Sequence, residues 1–218
     1  MINNKNLLKK ILVISLTFFS FSLYAENIKF STDSMTGSIS SKNNTTILKG
    51  NAKVVTDSIE ISADEIQISG ENYRYIKATG NVSGSSDSFD FTCGLLTYDQ
   101  TTKKANLQND VTLVDEENNV RAQAEIIEYN QETEIAVMQI SVNIQQDENT
   151  CLASYAIYRK KDQMLDLSGN PNIKQKDDIF RAQQISLNLN TQQITLDGRV
   201  RGSVNTDSSS GEKNEEKK

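Results

Sequence analysis

A five-residue motif recurs along this chain at a nearly constant interval, and it constrains the fold more than any other feature. Its six copies are LKGNA, ATGNV, LQNDV, MQISV, LSGNP and LDGRV, centred on Gly50, Gly80, Asn109, Ile140, Gly169 and Gly198. Successive centres lie 30, 29, 31, 29 and 29 residues apart. So regular a period is typical of a fold in which one small structural unit is stacked many times.

The residues that flank each motif centre alternate between apolar and polar. In the first complete unit, Leu48, Ala52 and Val54 lie two before, two after and four after the centre, and most other units carry apolar residues there. Spacings of two and four residues put these side chains on one face of an extended strand, whereas a helix needs spacings of three and four. Each motif is therefore predicted to lie in a β-strand.

Each unit also holds a second strand in which the apolar face changes. Ile61 and Ala63 are two residues apart, but the next column of apolar residues that recurs in the other units, at Ile68, lies five residues after Ala63. This change of parity predicts a β-bulge or a sharp bend within the strand. A small residue recurs just before the bend: Ala63, Cys93, Ala122, Ala153 and Ala182. Together the units predict an all-β, antiparallel fold of about 11–12 strands, with a bulge, a strand end or a short break at Pro171 because proline lacks a backbone N–H.

The two ends of the chain differ from this repeat. Residues 1–25 combine Lys5, Lys9 and Lys10 with an apolar run and end in Ala25, which is the pattern of a cleaved signal peptide; the alternative is a retained N-terminal anchor. Residues 205–218 contain no apolar side chain and are predicted to be a disordered polar tail. Residues 26–204 are then one β-domain, and the signal peptide implies secretion into the periplasm.

Charge and composition exclude several classes of function. Loss of the signal segment removes three lysines and leaves 20 basic against 29 acidic residues, so nucleic-acid binding is not expected. The chain has no histidine, which argues against His-based catalysis and metal sites. The acidic run Asp115-Glu116-Glu117 is expected to be a solvated turn. We expect no enzyme activity, no cofactor and no metal; the least favoured alternative is a Ser or Asp nucleophile hidden in the interior.

Four stretches carry a resemblance to a known family: LKGNAKV, IEISADEIQIS, IKATGNV and VRAQAEIIEYN. They resemble the OstA/LptA family, the periplasmic bridge proteins of lipopolysaccharide transport. The resemblance implies an open antiparallel β-jelly-roll whose two facing sheets form a V-shaped trough. It also implies that lipid acyl chains lie in that trough, so the expected cargo is lipopolysaccharide or a related outer-membrane lipid.

The apolar columns give the candidate lipid-binding residues. We predict that eight side chains line the trough: Val54, Ile66, Leu107, Leu113, Val120, Ile127, Leu165 and Ile173. The alternative is a closed sandwich whose interior packs on itself, as in a structural or adhesive β-repeat protein of the cell envelope. Because the chain is acidic and the lipopolysaccharide headgroup is anionic, binding would depend on the acyl chains.

The strand edges and the cysteines complete the expectations. An open sheet leaves two unpaired edges, here near Ile28–Met35 and Ile194–Val204, and such edges pair readily with other chains. We therefore predict head-to-tail self-association, or docking on related β-jelly-roll domains of inner- and outer-membrane transport components. Cys93 and Cys151 lie in units two apart, too distant for a disulfide, and both are expected to be free and buried.

Overall fold

The computed structural model describes residues 28–37 and 45–205, and this part of the chain is almost entirely β-structure. The signal peptide and the polar tail predicted above lie outside the described residues, apart from Asn205. Within these ranges the only helical segment is a 3₁₀ turn at Glu71–Tyr73. No helix in the described residues is long and apolar enough to cross a membrane. The strands are β1 (Lys29–Ser31), β2 (Ser34–Gly37), β3 (Thr45–Val55), β4 (Ile59–Ser69), β5 (Tyr75–Ser86), β6 (Asp90–Asp99), β7 (Lys104–Asp115), β8 (Val120–Asn130), β9 (Ile135–Gln146), β10 (Asn149–Arg159), β11 (Met164–Ser168), β12 (Asn172–Gln175), β13 (Asp178–Arg181), β14 (Gln184–Asn188), β15 (Ile194–Asp197) and β16 (Arg201–Ser203).

All sixteen strands belong to one antiparallel sheet. Consecutive long strands pair as hairpins from β3 to β10, so the chain runs back and forth as a meander. Towards both ends the strands are interrupted: β1 and β2 both pair with β3, while β11 and β12 both pair with β10. If two short strands that pair with the same side of a neighbour are counted as one strand, the sheet has twelve strands, as the repeat predicts. The open, all-antiparallel fold class is confirmed.

The repeated motif marks a crease that crosses the sheet. Each motif centre and the residue after it have left-handed backbone conformations, with φ between 45° and 77°. The six pairs are Gly50–Asn51, Gly80–Asn81, Asn109–Asp110, Ile140–Ser141, Gly169–Asn170 and Gly198–Arg199. Glycine, and to a lesser degree asparagine, adopts this conformation at low cost because it avoids the clash between Cβ and the backbone. The motif is thus a backbone requirement of the fold.

The predicted change of parity coincides with this crease. In β4, Ala63 and Ile66 both point inward although they are three residues apart, and the pairing of β4 with β3 and with β5 shifts register between Ser62 and Glu65. The same irregularity recurs on each long strand, so the predicted bulge is confirmed. Pro171 lies in the gap between β11 and β12, where the predicted break is found.

The crease folds the sheet so that its two halves face each other. The turns after β3, β5, β7, β9 and β12 form one long border, called here the first rim; those after β4, β6, β8, β10 and β14 form the second rim. Backbone hydrogen bonds join successive turns of the second rim, for example from the Gln100 N–H to the Arg74 carbonyl at 2.9 Å and from the Gln131 N–H to the Lys103 carbonyl at 3.0 Å. The core lies between the two half-sheets.

Candidate functional site

The candidate site is the apolar interior between the half-sheets. The eight side chains predicted to line a trough are all inward-facing and at most 2% exposed, and they belong to one continuous apolar cluster. The alternation of apolar and polar residues along the strands produces this arrangement because successive side chains point to opposite faces. The structure therefore brings the whole predicted set together on a single inner surface that runs from β3 to β12.

The interior is filled by its own side chains. A cavity of about 20 Å³ lies among Phe91, Leu107, Tyr129 and their neighbours, which is room for about one water molecule. The small residues before the bends, such as Ala122 at 0% exposure, face this packed core. An acyl chain can occupy the interior only if the half-sheets move apart.

The two rims meet along a seam, and the contacts described across it all involve side chains. Near one end, Lys103 Nζ donates to Ser58 Oγ at 2.9 Å and Gln131 Nε2 donates to the Ser58 carbonyl at 3.2 Å. Near the other, Asn149 Nδ2 donates to Gln192 Oε1 at 2.6 Å. The seam lies opposite the crease, so it closes the mouth of the V.

A buried ionic cluster holds the middle of the seam. We call Asp115, Tyr158 and Lys160 the clasp. Lys160 Nζ lies 2.9 Å from Asp115 Oδ1, and the Tyr158 hydroxyl donates to Asp115 Oδ2 at 2.7 Å. Lys160 also contacts Glu117 Oε2 at 3.0 Å and donates to the Ser88 carbonyl at 3.2 Å. Asp115 ends β7 at the first rim and Lys160 follows β10 at the second, so the clasp spans the seam.

The cluster satisfies the charges that it buries. Asp115 is 0% exposed, and burial alone would raise its pKa, but hydrogen bonds from Asn118, Lys160 and Tyr158 hold the pKa of this carboxyl below its usual value. Burial would lower the pKa of Lys160, yet Asp115 and Glu117 hold it above its usual value. Burial, together with the Asp115 carboxylate, raises the pKa of Tyr158. The contacts within the clasp therefore favour an ionised Asp115, a protonated Lys160 and a neutral Tyr158.

Aromatic rings pack beneath the clasp. Phe89, from the first rim, contacts Tyr129 edge-to-face with ring centroids 4.7 Å apart and Tyr158 at 6.2 Å. The Lys160 ammonium lies 5.3 Å from the centroid of the Phe89 ring, within the range of a cation–π contact. The seam therefore consists of a polar outer layer over an apolar inner one.

Comparison with known proteins identifies the family. The family described as "LptA/(LptD N-terminal domain) LPS transport protein" matches residues 32–163, which is more than half of the 218-residue chain. The chain belongs to this LptA/LptD N-terminal family. The match runs from β2 through β10 and includes four of the six left-handed pairs of the crease, six of the eight predicted wall residues, and the clasp.

Among solved structures, the chain is similar to LptH from Pseudomonas aeruginosa, described as the LptA-homologous periplasmic component of the conserved lipopolysaccharide transport device. The two are 11% identical, and the likeness covers 83% of this chain and 96% of LptH with a TM-score of 0.26. No curated protein matches the chain.

Sequence reasoning located the interior of this LptA/LptD-type domain but missed the clasp. The expectation that Asp115-Glu116-Glu117 is a solvated turn is wrong for Asp115, which is fully buried, although Glu116 and Glu117 are exposed. A signal was present in the sequence: Tyr158 lies in an inward row with Tyr98 and Tyr129, where β4 and β14 carry Ile68 and Leu187. A buried tyrosine hydroxyl normally needs a hydrogen-bond partner.

Acidic side chains near the seam bear on the question of metal binding. Within residues 28–37 and 45–205, no group of three or more His, Cys, Asp or Glu side chains is placed to hold a metal ion. The acidic side chains near the seam are either exposed or, like Asp115, already paired with a lysine.

Proposed function

We propose that this protein is a periplasmic, non-enzymatic carrier of lipopolysaccharide or a related outer-membrane lipid, which it holds by the acyl chains between the two half-sheets. The observation that carries the proposal is the continuous inner surface of apolar side chains in a chain of the LptA/LptD N-terminal family. The eight wall residues, Val54 to Ile173, are the proposed lipid contacts.

The energetics favour the acyl chains over the headgroup as the basis of binding. Transfer of an acyl chain into an apolar interior is worth about 0.8 kcal/mol for each CH₂ group that is buried. The chain carries a net charge of −6, so it offers no general electrostatic attraction for an anionic headgroup. The headgroup of the lipid is therefore expected to remain in water while the acyl chains are enclosed.

The free edges of the sheet support a bridging role. β1 and β2 form one edge, and β15 and β16 form the other. Apolar side chains are exposed at both, with Phe30 51% and Val200 53% accessible. Pairing of one edge with the other edge of a second copy, or with a related domain of a membrane component, would extend the interior from one domain to the next.

Photo-crosslinking tests the carrier function directly. A photoactivatable amino acid at Leu107, Leu113 or Ile127 should crosslink to lipopolysaccharide that is incubated with the intact protein. The matched control is the outward face of the same sheet: Lys53 and Thr112, which alternate with wall residues, should crosslink poorly. Equal labelling of both faces would refute the lipid-contact assignment.

A second candidate function is a structural or adhesive β-repeat protein, and the filled interior is the observation that favours it. The two candidates differ in what the purified protein contains after exposure to lipid. Native mass spectrometry should detect a complex with one lipid molecule for a carrier, whereas a structural protein should retain its apo mass.

A further inference from the structure

We infer that the seam opens sideways to admit acyl chains, and that the clasp of Asp115, Tyr158 and Lys160 is the contact that must be released. This inference rests on the proposed carrier function and adds to it the place where the lipid enters. The alternative route is the two ends of the folded sheet, where the interior would be reached between the edge strands.

The seam can open without damage to the sheet. Its described contacts are single hydrogen bonds, ion pairs and ring contacts, and each of them involves at least one side chain. The strand pairing, by contrast, runs around the crease and never crosses the seam. Opening at the seam therefore leaves the backbone ladder intact, whereas opening at any other line would break a row of backbone hydrogen bonds.

The chemistry of the clasp suits a contact that forms and breaks. When an ion pair leaves the protein interior, hydration of both charges offsets most of the lost attraction between them, so such a pair adds little net stability. Lys160 reaches the surface beside Glu117, whose side chain is 77% exposed, so water needs to advance only a short distance. An apolar contact at this point would gain no comparable hydration on opening.

The position of the clasp also fits a lipid with a large polar headgroup. Asp115 and Lys160 close the seam about midway between the Ser58 contacts and the Gln192 contacts. Acyl chains that enter here from the side reach Leu113, Tyr129 and their apolar neighbours beneath the clasp, while the headgroup stays outside. Entry from an end would require the headgroup to pass along the whole closed seam.

A reversible covalent lock tests the inference. Asn118 and Gln163 belong to opposite rims, are partly exposed, and touch through Gln163 Nε2 and Asn118 Oδ1 at 3.1 Å. In the Asn118→Cys/Gln163→Cys variant, a short bifunctional methanethiosulfonate reagent should join the rims, and a reductant should release them. The native Cys93 and Cys151 are buried, and each single-cysteine variant treated with the reagent serves as a control.

The readout is uptake of lipopolysaccharide by the intact protein, followed by native mass spectrometry over time. We expect the locked protein to take up lipid many-fold more slowly than the same protein after reduction. Equal uptake in the locked and reduced states would overturn the inference, because the lipid would then enter by the ends, while the carrier function would stand. If even the wild-type protein takes up no lipid, the carrier function itself fails.

A second pair of variants tests the role of the clasp. Replacement of both charges, in Asp115→Asn/Lys160→Met, avoids an unpaired buried charge and should preserve the fold. We expect lipid uptake and release to become several-fold slower, because the apolar side chain gains no hydration when the seam opens, with an unchanged circular dichroism spectrum. The control is Arg74→Gln/Asp99→Asn, which removes a bidentate ion pair that lies within the second rim and does not cross the seam. Equal effects of the two double variants would show that the clasp has no special role.

Discussion

At the level of single residues, the crease obeys a simple steric rule: of two facing residues, one is glycine. Gly50 lies against Asp33, and a Cβ atom added to Gly50 would fall 2.6 Å from a carboxylate oxygen of that residue. Gly80 lies in the same way against Asp64. Where the left-handed residue is Asn109, the facing residue is Gly94 instead. The glycine can therefore lie on either of the two paired strands, and in each pair only one of the two facing residues carries a side chain.

Ile140 breaks this rule. Its φ is 66° although it is β-branched. The residues opposite it on β8, where the register shifts, are Ala124 and Glu125, so neither of the facing positions is glycine. Left-handed backbone costs a non-glycine residue about 1–2 kcal/mol. Because Ile140 is 55% exposed, its side chain recovers little of this cost by burial.

We therefore predict that Ile140→Gly stabilises the protein by about 0.5–1 kcal/mol, since the relief of strain exceeds the entropic cost of glycine. Urea unfolding followed by circular dichroism measures the change in the free energy of unfolding. Gly80→Ala is the opposite control: it should destabilise the protein because its Cβ atom would meet Asp64 at an unfavourable φ. A destabilised Ile140→Gly variant would show that the isoleucine is retained for its packing.

The two cysteines give a second residue-level prediction. Both are free and buried, as the sequence predicts, and four strand spacings separate β6 from β10, about 19 Å. Burial raises the pKa of Cys93 to about 11 and that of Cys151 to about 12. Since the thiolate is the reactive form, neither should react with a thiol reagent at pH 8 in the native state. Two thiols should react in denaturant; rapid native labelling would contradict the burial.

At the level of strands, the sheet edges are where the sequence predicts them. The first edge is divided into β1 and β2, and the last into β15 and β16, with Gly198 at the break. Short, interrupted edge strands limit uncontrolled pairing with other chains. The edges nevertheless keep exposed apolar side chains, among them Met35 at 56%.

We predict that proline at Thr195 or Leu196 weakens head-to-tail association, because proline removes a backbone donor from the last edge. Adjacent N–H groups of a strand point to opposite sides, so one of the two positions removes a donor to the partner. Deletion of residues 205–218, which follow this edge, should enlarge the oligomers. Light scattering over a range of protein concentrations measures both effects; a protein that stays monomeric in every form would refute edge pairing.

At the level of the whole molecule, the clasp makes the closed state depend on pH. Hydrogen bonds lower the pKa of Asp115 in the folded state, so its contribution is present above the unfolded value of about 3.9 and is lost as the pH falls through the folded pKa. The pKa of Lys160 is raised, so its contribution is complete below about 10.4 and is lost as the pH rises through the folded value.

We predict that the free energy of unfolding of the wild type exceeds that of Asp115→Asn by the largest margin between about pH 5 and pH 10. The margin should shrink below about pH 4, where Asp115 becomes protonated first in the unfolded chain and then, at lower pH, in the folded protein. Chemical denaturation at a series of pH values measures it, and the difference between variants cancels the titration of other carboxyls such as Asp99. A margin that is constant from pH 2 to pH 7 would contradict the ionic contact.

The sequence alone determined the parts of this protein that depend on local geometry. The strand period follows from alternation along the backbone, and the bend in each second strand follows from its change of parity. The regular interval of the motif marked each unit, and the structure shows that its glycine and asparagine residues favour the left-handed backbone of the crease. Columns such as Val54, Leu113 and Ile173 were sufficient to select the inner surface, since side chains two residues apart share a face. Family membership followed from the same short motifs.

Only the tertiary structure decided how the two halves meet. Asp115 and Lys160 are 45 residues apart and belong to opposite rims, and nothing in the local pattern around either residue indicates that the other is its partner. Their contact depends on how sharply the crease bends and on how the successive turns are staggered along the seam. The bend and the stagger are sums of small backbone rotations over many residues. The alternation of apolar and polar residues determines each strand, but it does not determine which residues of the two rims meet.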